Sequence, residues 1–245
     1  MQIIETYGKY IEKFGNEDPA KARWLLKTGW SAQNLKFRFA PDKRLIPAHR
    51  YLAHLMMNTM LAPLKRPEKC SVVSIFTPCE LLHEVGLSPY NVEAFSCYLT
   101  ASAAERACLQ QAEDQGISET LCSYHKTFIG AADRGILPRP KCIVYTNLVC
   151  DANLLTFRYL ADLYQVPVFA IDVPFGQSHD NVKYVAEQLE ELAAFLEKCT
   201  GHPIDEDSVK ERLCISRRTL ENISRFQSLR KDRCIPTDLV TPLYE

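Results

Sequence analysis

The sequence predicts an α/β fold, with a Rossmann-like, mostly parallel sheet flanked by helices and a helical extension at the N-terminus. Three observations predict this fold. Short apolar runs rich in β-branched residues recur along the chain, segments of helical periodicity follow them, and Gly or Pro residues separate the two kinds of segment. Such an alternation favours parallel strands joined by right-handed crossovers.

The predicted elements of the first half begin with helices. Residues 1–40 favour helix, and the segment from Ile46, IPAHRYLAHLMMNTMLAPL, has apolar residues at helical spacing. SVVSIF is typical of a buried strand, after which Pro78 opens a short helix that Gly86 ends. VEAFSCY is interpreted as a second strand, and ASAAERACLQQAEDQG as a helix that stops at Gly116.

The second half continues the alternation. Ser118 is predicted to cap a helix over SETLCSYHKTFIGAADRG. KCIVYTNL is predicted to be the third strand, followed by a helix that begins at Cys150, and VPVFAIDVP the fourth, closed by Pro174. Two amphipathic helices complete the chain, one ending at Gly201 and one beginning at Asp205.

These elements divide the chain into three predicted parts. They are a helical segment over residues 1–65, an α/β domain over 66–200 that carries the candidate functional residues, and a helical segment over 201–245. The 245 residues have a formal net charge of −1, which gives no electrostatic case for nucleic acid or for a membrane surface. No stretch approaches the roughly 18 apolar residues of a membrane span, and the first residues lack the apolar core of a signal peptide. We therefore expect a cytoplasmic protein.

The chain has ten cysteines, which is many for a reducing compartment where disulfides are rare. No CxxC pair occurs, so a zinc ribbon or a thioredoxin-like motif is not indicated. Six of the cysteines are interpreted as structural: Cys70, Cys108, Cys142, Cys199, Cys214 and Cys234.

The remaining cysteines lie near predicted strand ends or helix starts. Cys150 follows a strand, Cys122 lies near the start of a helix, and Cys79 also follows a strand; Cys97 is a weaker candidate. Ligands bind at the carboxyl ends of parallel strands, and the N-terminus of a helix favours a thiolate. Cys122 and Cys150 can therefore converge above one sheet edge, although each is equally open to a purely structural role.

Four segments, in order, resemble the 2-hydroxyacyl-CoA dehydratase D-component family. TPCELLHEVGLSPY is similar to the family's Pro-x-Glu-Leu…Gly-x-x-Pro opening, and CSYHKTFIG to its Cys-Ser-Tyr segment. YTNLVCD resembles its threonine-containing strand followed by Cys-Asp, and VPVFAIDVP the strand and Asp-x-Pro exit that come next. The resemblance covers roughly residues 70–175. It extends to benzoyl-CoA reductase subunits and double-cubane cluster proteins.

The resemblance implies a [4Fe-4S] cluster with Cys122 and Cys150 as ligands. Family subunits take a third cysteine from a second domain, so this chain would be the N-terminal half of a two-domain subunit; Cys79 is an alternative third ligand. Ser123 and Asp151 would support the ligands, by a bond to a cluster sulfur or substrate and by accepting backbone hydrogen bonds. Ordinary exposure or helix capping is the alternative role for both.

The implied reaction is radical elimination of water from a 2-hydroxyacyl-CoA after one-electron activation, and the implied enzyme is a lyase of anaerobic metabolism. The implied partners are the acyl-CoA substrate, a second dehydratase subunit in a heterodimer, and an ATP-dependent iron–sulfur activator. This chain has no Gly-x-x-x-x-Gly-Lys-Ser/Thr loop of its own. Three alternatives stay open: a reductase of benzoyl-CoA or of small molecules, a truncated non-catalytic member with a binding role, and a zinc site at the same cysteines.

Overall fold

The computed structural model describes residues 2–231, which form an α/β fold with a helical N-terminal region. Cys234 and the last part of the predicted segment 201–245 lie outside the described residues, and the three-part division itself stays a prediction. Within the described range, no helix is both long enough and apolar enough to cross a membrane. The helices are α1 (Gln2–Glu17), α2 (Pro19–Phe39), α3 (Pro47–Lys65), α4 (Glu80–Glu84), α5 (Val92–Ala101), α6 (Arg106–Asp114), α7 (Ser123–Asp133), α8 (Asn153–Tyr164), α9 (His179–Thr200) and α10 (Glu206–Leu229).

The sheet has four parallel strands in the order β2-β1-β3-β4. They are β1 (Cys70–Val73), β2 (Ser88–Asn91), β3 (Cys142–Thr146) and β4 (Val168–Ile171). The two central strands, β1 and β3, are buried along their whole length, as expected of continuous apolar runs covered on both faces. Pro89 is tolerated in β2 because β2 is an edge strand.

Successive side chains of the central strands pack into two hydrophobic cores, one on each face of the sheet. In β3, Ile143 and Tyr145 join the larger core, whereas Cys142 and Val144 join the smaller one. The larger core is completed by α1–α3 and α5–α8; Trp30 of α2, for example, packs edge-on against a phenylalanine of α5 with ring centroids 5.6 Å apart. The smaller core is closed by α4 and α9.

The chain leaves the sheet in two directions from its centre. The connection from β1 to β2 runs through α4 on one face, and the connection from β3 to β4 runs through α8 on the other. Right-handed crossovers in opposite directions require opposite faces. β1 and β3 therefore flank a topological switch point, where parallel sheets open a crevice beyond the carboxyl ends of the strands.

The second predicted strand, VEAFSCY, was wrong, because this segment is helix α5. The Asn91 side chain caps α5 by accepting the backbone N–H of Ala94 at 2.6 Å. Residues 92, 95 and 99 are all fully buried, which is helical spacing rather than strand alternation. The second strand is instead the short segment that precedes this cap.

Two predicted helix starts were also wrong. The helix predicted over ASAAERACLQQAEDQG begins only at Arg106, because α5 ends at Ala101 and a turn follows. The next helix begins at Ser123 with Cys122 at its N-cap, not at Ser118. The Ser118 hydroxyl accepts the backbone N–H of Thr120 at 3.3 Å, so it forms a local turn instead of a helix cap. The predicted ends at Gly116 and Gly201 are confirmed within a residue or two, and both glycines have positive φ.

Candidate functional site

A cavity of about 620 Å³ lies beyond the carboxyl ends of β1, β2 and β3. Its lining comes from the exit loop of β1, the end of β2 and start of α5, the start of α7, the loop after β3, and α3. The cavity therefore occupies the switch-point crevice that the strand order creates. Its ionisable or thiol-bearing lining residues are Cys79, Glu93, Cys97, Cys122, Tyr124, His125 and Cys150.

The loop after β3 brings Cys150 to this cavity. Asn153, which is 1% exposed, donates a hydrogen bond from Nδ2 to the carbonyl of Thr146 at 2.8 Å. The Thr146 hydroxyl accepts the N–H of Leu148 at 3.2 Å, and the carbonyl of Cys150 accepts the N–H of Asn153. Cys150 thus lies three residues before α8, in the turn that leads into the helix, and not at its first residue as predicted.

Cys122 reaches the same cavity from another helix. It is the N-cap of α7, and its carbonyl accepts the N–H of Lys126. Both predicted ligands therefore line one cavity from different elements, although Cys122 itself is exposed.

His125 also lines the cavity, beside Cys150. Its ring is buried, with Nδ1 2.9 Å from the Thr156 hydroxyl oxygen and Nε2 3.8 Å from Sγ of Cys150. Burial lowers the pKa of His125 below its usual value, so the imidazole is neutral at neutral pH. His125 is therefore a buried, hydrogen-bonded residue of the cavity wall.

Cys79 and Cys97 also line the cavity, and their thiols have different hydrogen-bond partners. The Cys79 thiol donates to the carbonyl of Thr77 at 3.1 Å, and burial, with a smaller contribution from the charge of Glu80, raises its pKa to about 12. This thiol therefore stays protonated at neutral pH. A hydrogen bond with Cys97 raises the pKa of the Tyr124 hydroxyl above its usual value.

Ser123 and Asp151 lie apart from this lining. Both are exposed and neither lines the cavity, and the N-cap residue of α8, Ala152, makes no side-chain cap bond. Their supporting role stays a prediction. Near them, the Lys126 side chain is only 10% exposed and is paired with Glu113 at 2.7 Å.

Glu93 is the cavity residue that the sequence interpretation missed. Its Oε1 accepts the N–H of Ile75 at 3.3 Å, and its Oε2 is buried with no hydrogen-bond partner among the described residues. Burial raises its pKa to about 7, against smaller opposing effects of its hydrogen bonds. An acidic residue just after an asparagine cap was the available signal, but the strand interpretation of VEAFSCY concealed it.

The donor set fits an iron–sulfur group in kind, because cysteine thiolates hold such clusters. It is incomplete in number: across residues 2–231, no group of three or more His, Cys, Asp or Glu side chains is arranged to hold a metal ion. The cysteines of the described range are all free thiols, so those lining the cavity are available as ligands. Cys70, Cys108 and Cys142 are buried as predicted for structural residues, Cys199 is half-buried and Cys214 is exposed.

Comparison with known proteins identifies relatives of the chain. It is 24% identical over 181 residues to the (R)-phenyllactyl-CoA dehydratase alpha subunit of Clostridium sporogenes, covering 70% of this chain and 44% of that protein. It is 23% identical over 182 residues to the lactoyl-CoA dehydratase subunit alpha of Anaerotignum propionicum, covering 65% and 43%. It is 27% identical over 142 residues to a benzoyl-CoA reductase subunit of Thauera aromatica, covering 53% and 33%.

Each of these alignments spans less than half of the relative's length. The family model of the 2-hydroxyglutaryl-CoA dehydratase D-component matches residues 74–241, which is more than half of the chain and includes every cysteine of the cavity. The chain therefore belongs to the 2-hydroxyglutaryl-CoA dehydratase D-component family.

Proposed function

We propose that this chain is the iron–sulfur subunit, or part of the subunit, of a 2-hydroxyacyl-CoA dehydratase-like lyase. The observation that carries the proposal is that Cys122 and Cys150, from two separate elements, line one cavity at the switch point of a sheet in this family. Parallel sheets bind their ligands at this place. The names of several relatives, which are dehydratase alpha subunits acting on phenyllactyl-CoA or lactoyl-CoA, support the substrate class.

Cys122 and Cys150 would hold a [4Fe-4S] cluster, which when bound supplies the one-electron chemistry of the elimination. The remaining ligand would come from a second domain, or from Cys79 or Cys97. Cys79 is the weaker of these two, because its thiol is held protonated by burial. Cys122 would reach the cluster from the N-cap of α7, and Cys150 from the turn that precedes α8.

The rest of the cavity suits the acyl part of a thioester. Apart from the groups named above, its wall is mainly apolar, with Met60, Val73, Phe76 and Val149 among the contributors. Such a wall would exclude water from the reacting carbons, which protects a reactive intermediate from side reactions. The partners of this function would be the acyl-CoA, a second dehydratase subunit and an ATP-dependent activator that delivers the electron.

The direct test is iron and acid-labile sulfide per chain after oxygen-free purification. The wild type is expected to hold iron, and Cys122→Ala and Cys150→Ala are each expected to lose most of it. Cys214→Ala, an exposed cysteine of α10 outside the cavity, is the matched control and keeps its iron. Unchanged iron in both cavity variants would remove these residues as ligands, and a wild type without iron would favour a non-catalytic binding role.

A reductase is the second candidate, favoured by the 27% identity to the benzoyl-CoA reductase subunit of Thauera aromatica. The two reactions differ in what they consume, since elimination of water is redox-neutral and ring reduction is not. The reconstituted protein would be supplied, without oxygen, with (R)-phenyllactyl-CoA or with benzoyl-CoA and a low-potential reductant. Product formed without net consumption of reductant identifies the dehydratase, and stoichiometric consumption identifies the reductase.

A further inference from the structure

The side chain of Glu93 lies in the wall of the cavity with only one of its two oxygens engaged. Glu93 is in the first turn of α5, and Ile75 N–H donates to its Oε1 at 3.3 Å from the exit loop of β1. Its Oε2 is buried and has no partner among the described residues. Buried polar atoms in folded proteins are nearly always hydrogen-bonded, so an orphan oxygen in a cavity wall indicates a group that a ligand completes.

Within the described part of the chain, no basic side chain neutralises this carboxyl. Lys and Arg are missing from the described lining of the cavity, and Glu93 has no ion pair within residues 2–231. Burial raises the pKa to about 7 and outweighs the hydrogen bonds from the backbone N–H groups of Glu93 and Ile75 and from the Asn91 side chain, which favour the charged form. Near neutral pH both the carboxylic acid and the carboxylate are therefore populated.

The other titratable groups of the cavity are four thiols, a phenol and an imidazole. They are Cys79, Cys97, Cys122, Tyr124, His125 and Cys150, and no hydrogen bond among the described residues joins any of them to Glu93. Burial lowers the pKa of His125 and raises that of Cys79, so these two are neutral at neutral pH, and the pKa of Tyr124 is raised from an already high value. Glu93 is thus the carboxyl that this wall offers to an oxygen of a ligand.

We propose that Glu93 is an acid–base residue for the 2-hydroxyl group of a bound 2-hydroxyacyl thioester. A small rotation of the side chain brings the buried Oε2 to the cavity surface, where the neutral carboxyl donates a hydrogen bond from it to the 2-hydroxyl oxygen while Oε1 stays on the N–H of Ile75. This inference rests on the proposed function, since it assumes that a 2-hydroxyacyl-CoA occupies the cavity.

Glu93 accounts for both protons that move in the elimination. The bond from C2 to the hydroxyl oxygen breaks, and that oxygen takes the proton of Glu93 and leaves as water. A hydrogen on C3 leaves as a proton, a double bond forms between C2 and C3, and the Glu93 carboxylate takes up the C3 proton. The acid is regenerated, and the reaction as a whole consumes no reductant. A pKa near the working pH suits a group that both gives and takes a proton.

The alternative for Glu93 is a purely structural tether between α5 and the loop after β1. Glu93→Gln separates the two roles, because glutamine keeps an oxygen for the Ile75 N–H but cannot exchange a proton. Asp180→Asn is the matched control: Asp180 is also a first-turn carboxyl, in α9, but it is exposed and outside the cavity.

The test is calorimetric binding of (R)-phenyllactyl-CoA to the full chain at neutral pH, in buffers of different ionisation enthalpy. Wild type and D180N are expected to take up a fraction of a proton per ligand, because the ligand further buries the carboxyl and uses its O–H. E93Q is expected to bind without that uptake. 3-Phenylpropionyl-CoA, which lacks the 2-hydroxyl, is expected to bind wild type about tenfold more weakly, the equivalent of one hydrogen bond to a buried partner.

The outcomes separate the inference from the proposed function. Equal proton uptake in wild type and E93Q, with both binding the thioester, overturns the role of Glu93 and leaves the proposed function standing. Failure of wild type to bind either thioester overturns the proposed function and this inference with it. Should E93Q fail to fold, Glu93→Asp replaces it: the shorter carboxyl keeps the proton exchange but withdraws from the ligand, so the tenfold preference for the 2-hydroxyl is expected to vanish.

Discussion

The Nε2 atom of His125 lies 3.8 Å from Sγ of Cys150, and the hydrogen bonds around the ring decide which of the two is the donor. The Thr156 hydroxyl donates to the carbonyl of Ala152 at 2.9 Å, so towards His125 it can only accept. Nδ1 of His125, 2.9 Å from that hydroxyl oxygen, therefore carries the ring proton. Nε2 is left as an acceptor facing Cys150, and the S–H group of Cys150 donates to it.

This chain of hydrogen bonds predicts that the Thr156 hydroxyl matters more than its methyl group. Thr156→Val keeps the shape of the side chain but leaves the buried Nδ1–H of His125 without an acceptor. We expect the free energy of unfolding to fall by about 1–3 kcal/mol, measured by urea denaturation. Thr156→Ser keeps the hydroxyl and is expected to lose about 1 kcal/mol or less. Similar losses in the two variants would contradict the assigned hydrogen-bond directions.

A second prediction concerns Lys126, the buried lysine of α7. Lys126 donates to Glu113 at 2.7 Å and to the carbonyl of Glu119 at 2.8 Å, with its side chain only 10% exposed. Lys126→Met leaves the partly buried Glu113 carboxylate and the Glu119 carbonyl without their donor, so a loss of about 2–4 kcal/mol is expected on denaturation. Lys210→Met is the control, since that lysine pairs with Asp207 on the surface and should cost less than about 0.5 kcal/mol. Comparable costs at the two sites would show that Lys126 is not buried as described.

The site could be anticipated from the sequence to the extent that it follows from the sheet. The apolar run KCIVYTNL predicted a strand, and the rule that parallel sheets bind ligands at the carboxyl ends of their strands then placed Cys150 at the functional edge. Cys122 followed from its place near a helix start. Neither inference depends on a side-chain contact, so both could be made from the sequence alone.

The sequence was misleading where short segments had mixed signals. VEAFSCY combines β-branched and aromatic residues with helical spacing, and the helix is settled by the Asn91 cap and by burial of Phe95 against Trp30 and Tyr90. Because the segment was interpreted as a strand, Glu93 was not recognised as a first-turn carboxyl beside the loop of Ile75. The Thr156 link to His125 joins α7 and α8, and no local pattern reports such a contact.

A third prediction tests the close packing of α6 against α7. A Cβ on Gly130 would collide with the carbonyl of Cys108, which is backbone and cannot turn away. Gly130→Ala is therefore expected to destabilise the protein by at least about 2 kcal/mol, even though alanine favours helix. At Gly29 of α2 the colliding group is the Tyr7 side chain, which can move, so Gly29→Ala should cost less. Thermal unfolding of both variants provides the comparison. A G130A protein as stable as wild type would contradict the close approach of α6 and α7.

The last prediction is the pH dependence of stability that Glu93 imposes. Its pKa rises from 4.5 to about 7 on folding, chiefly because burial disfavours the charge. Between these two values the native state holds more protons than the unfolded chain, so the free energy of unfolding falls as pH rises through this window. The penalty is absent at lower pH and complete above about pH 7, where a shift of this size is worth about 3 kcal/mol.

Glu93→Gln carries no such penalty and is expected to be more stable than wild type at about pH 8, with the advantage disappearing at about pH 4. His83 and His125, whose pKa values are lowered by burial, impose the opposite slope, since their native forms hold fewer protons than the unfolded chain. Wild type and Glu93→Gln both contain these histidines, so the effect of the histidines cancels in the stability difference between the two proteins. A stability difference that stays constant across this pH range, measured by urea denaturation, would mean that Glu93 is already ionised in the folded chain and has no proton to give to a ligand.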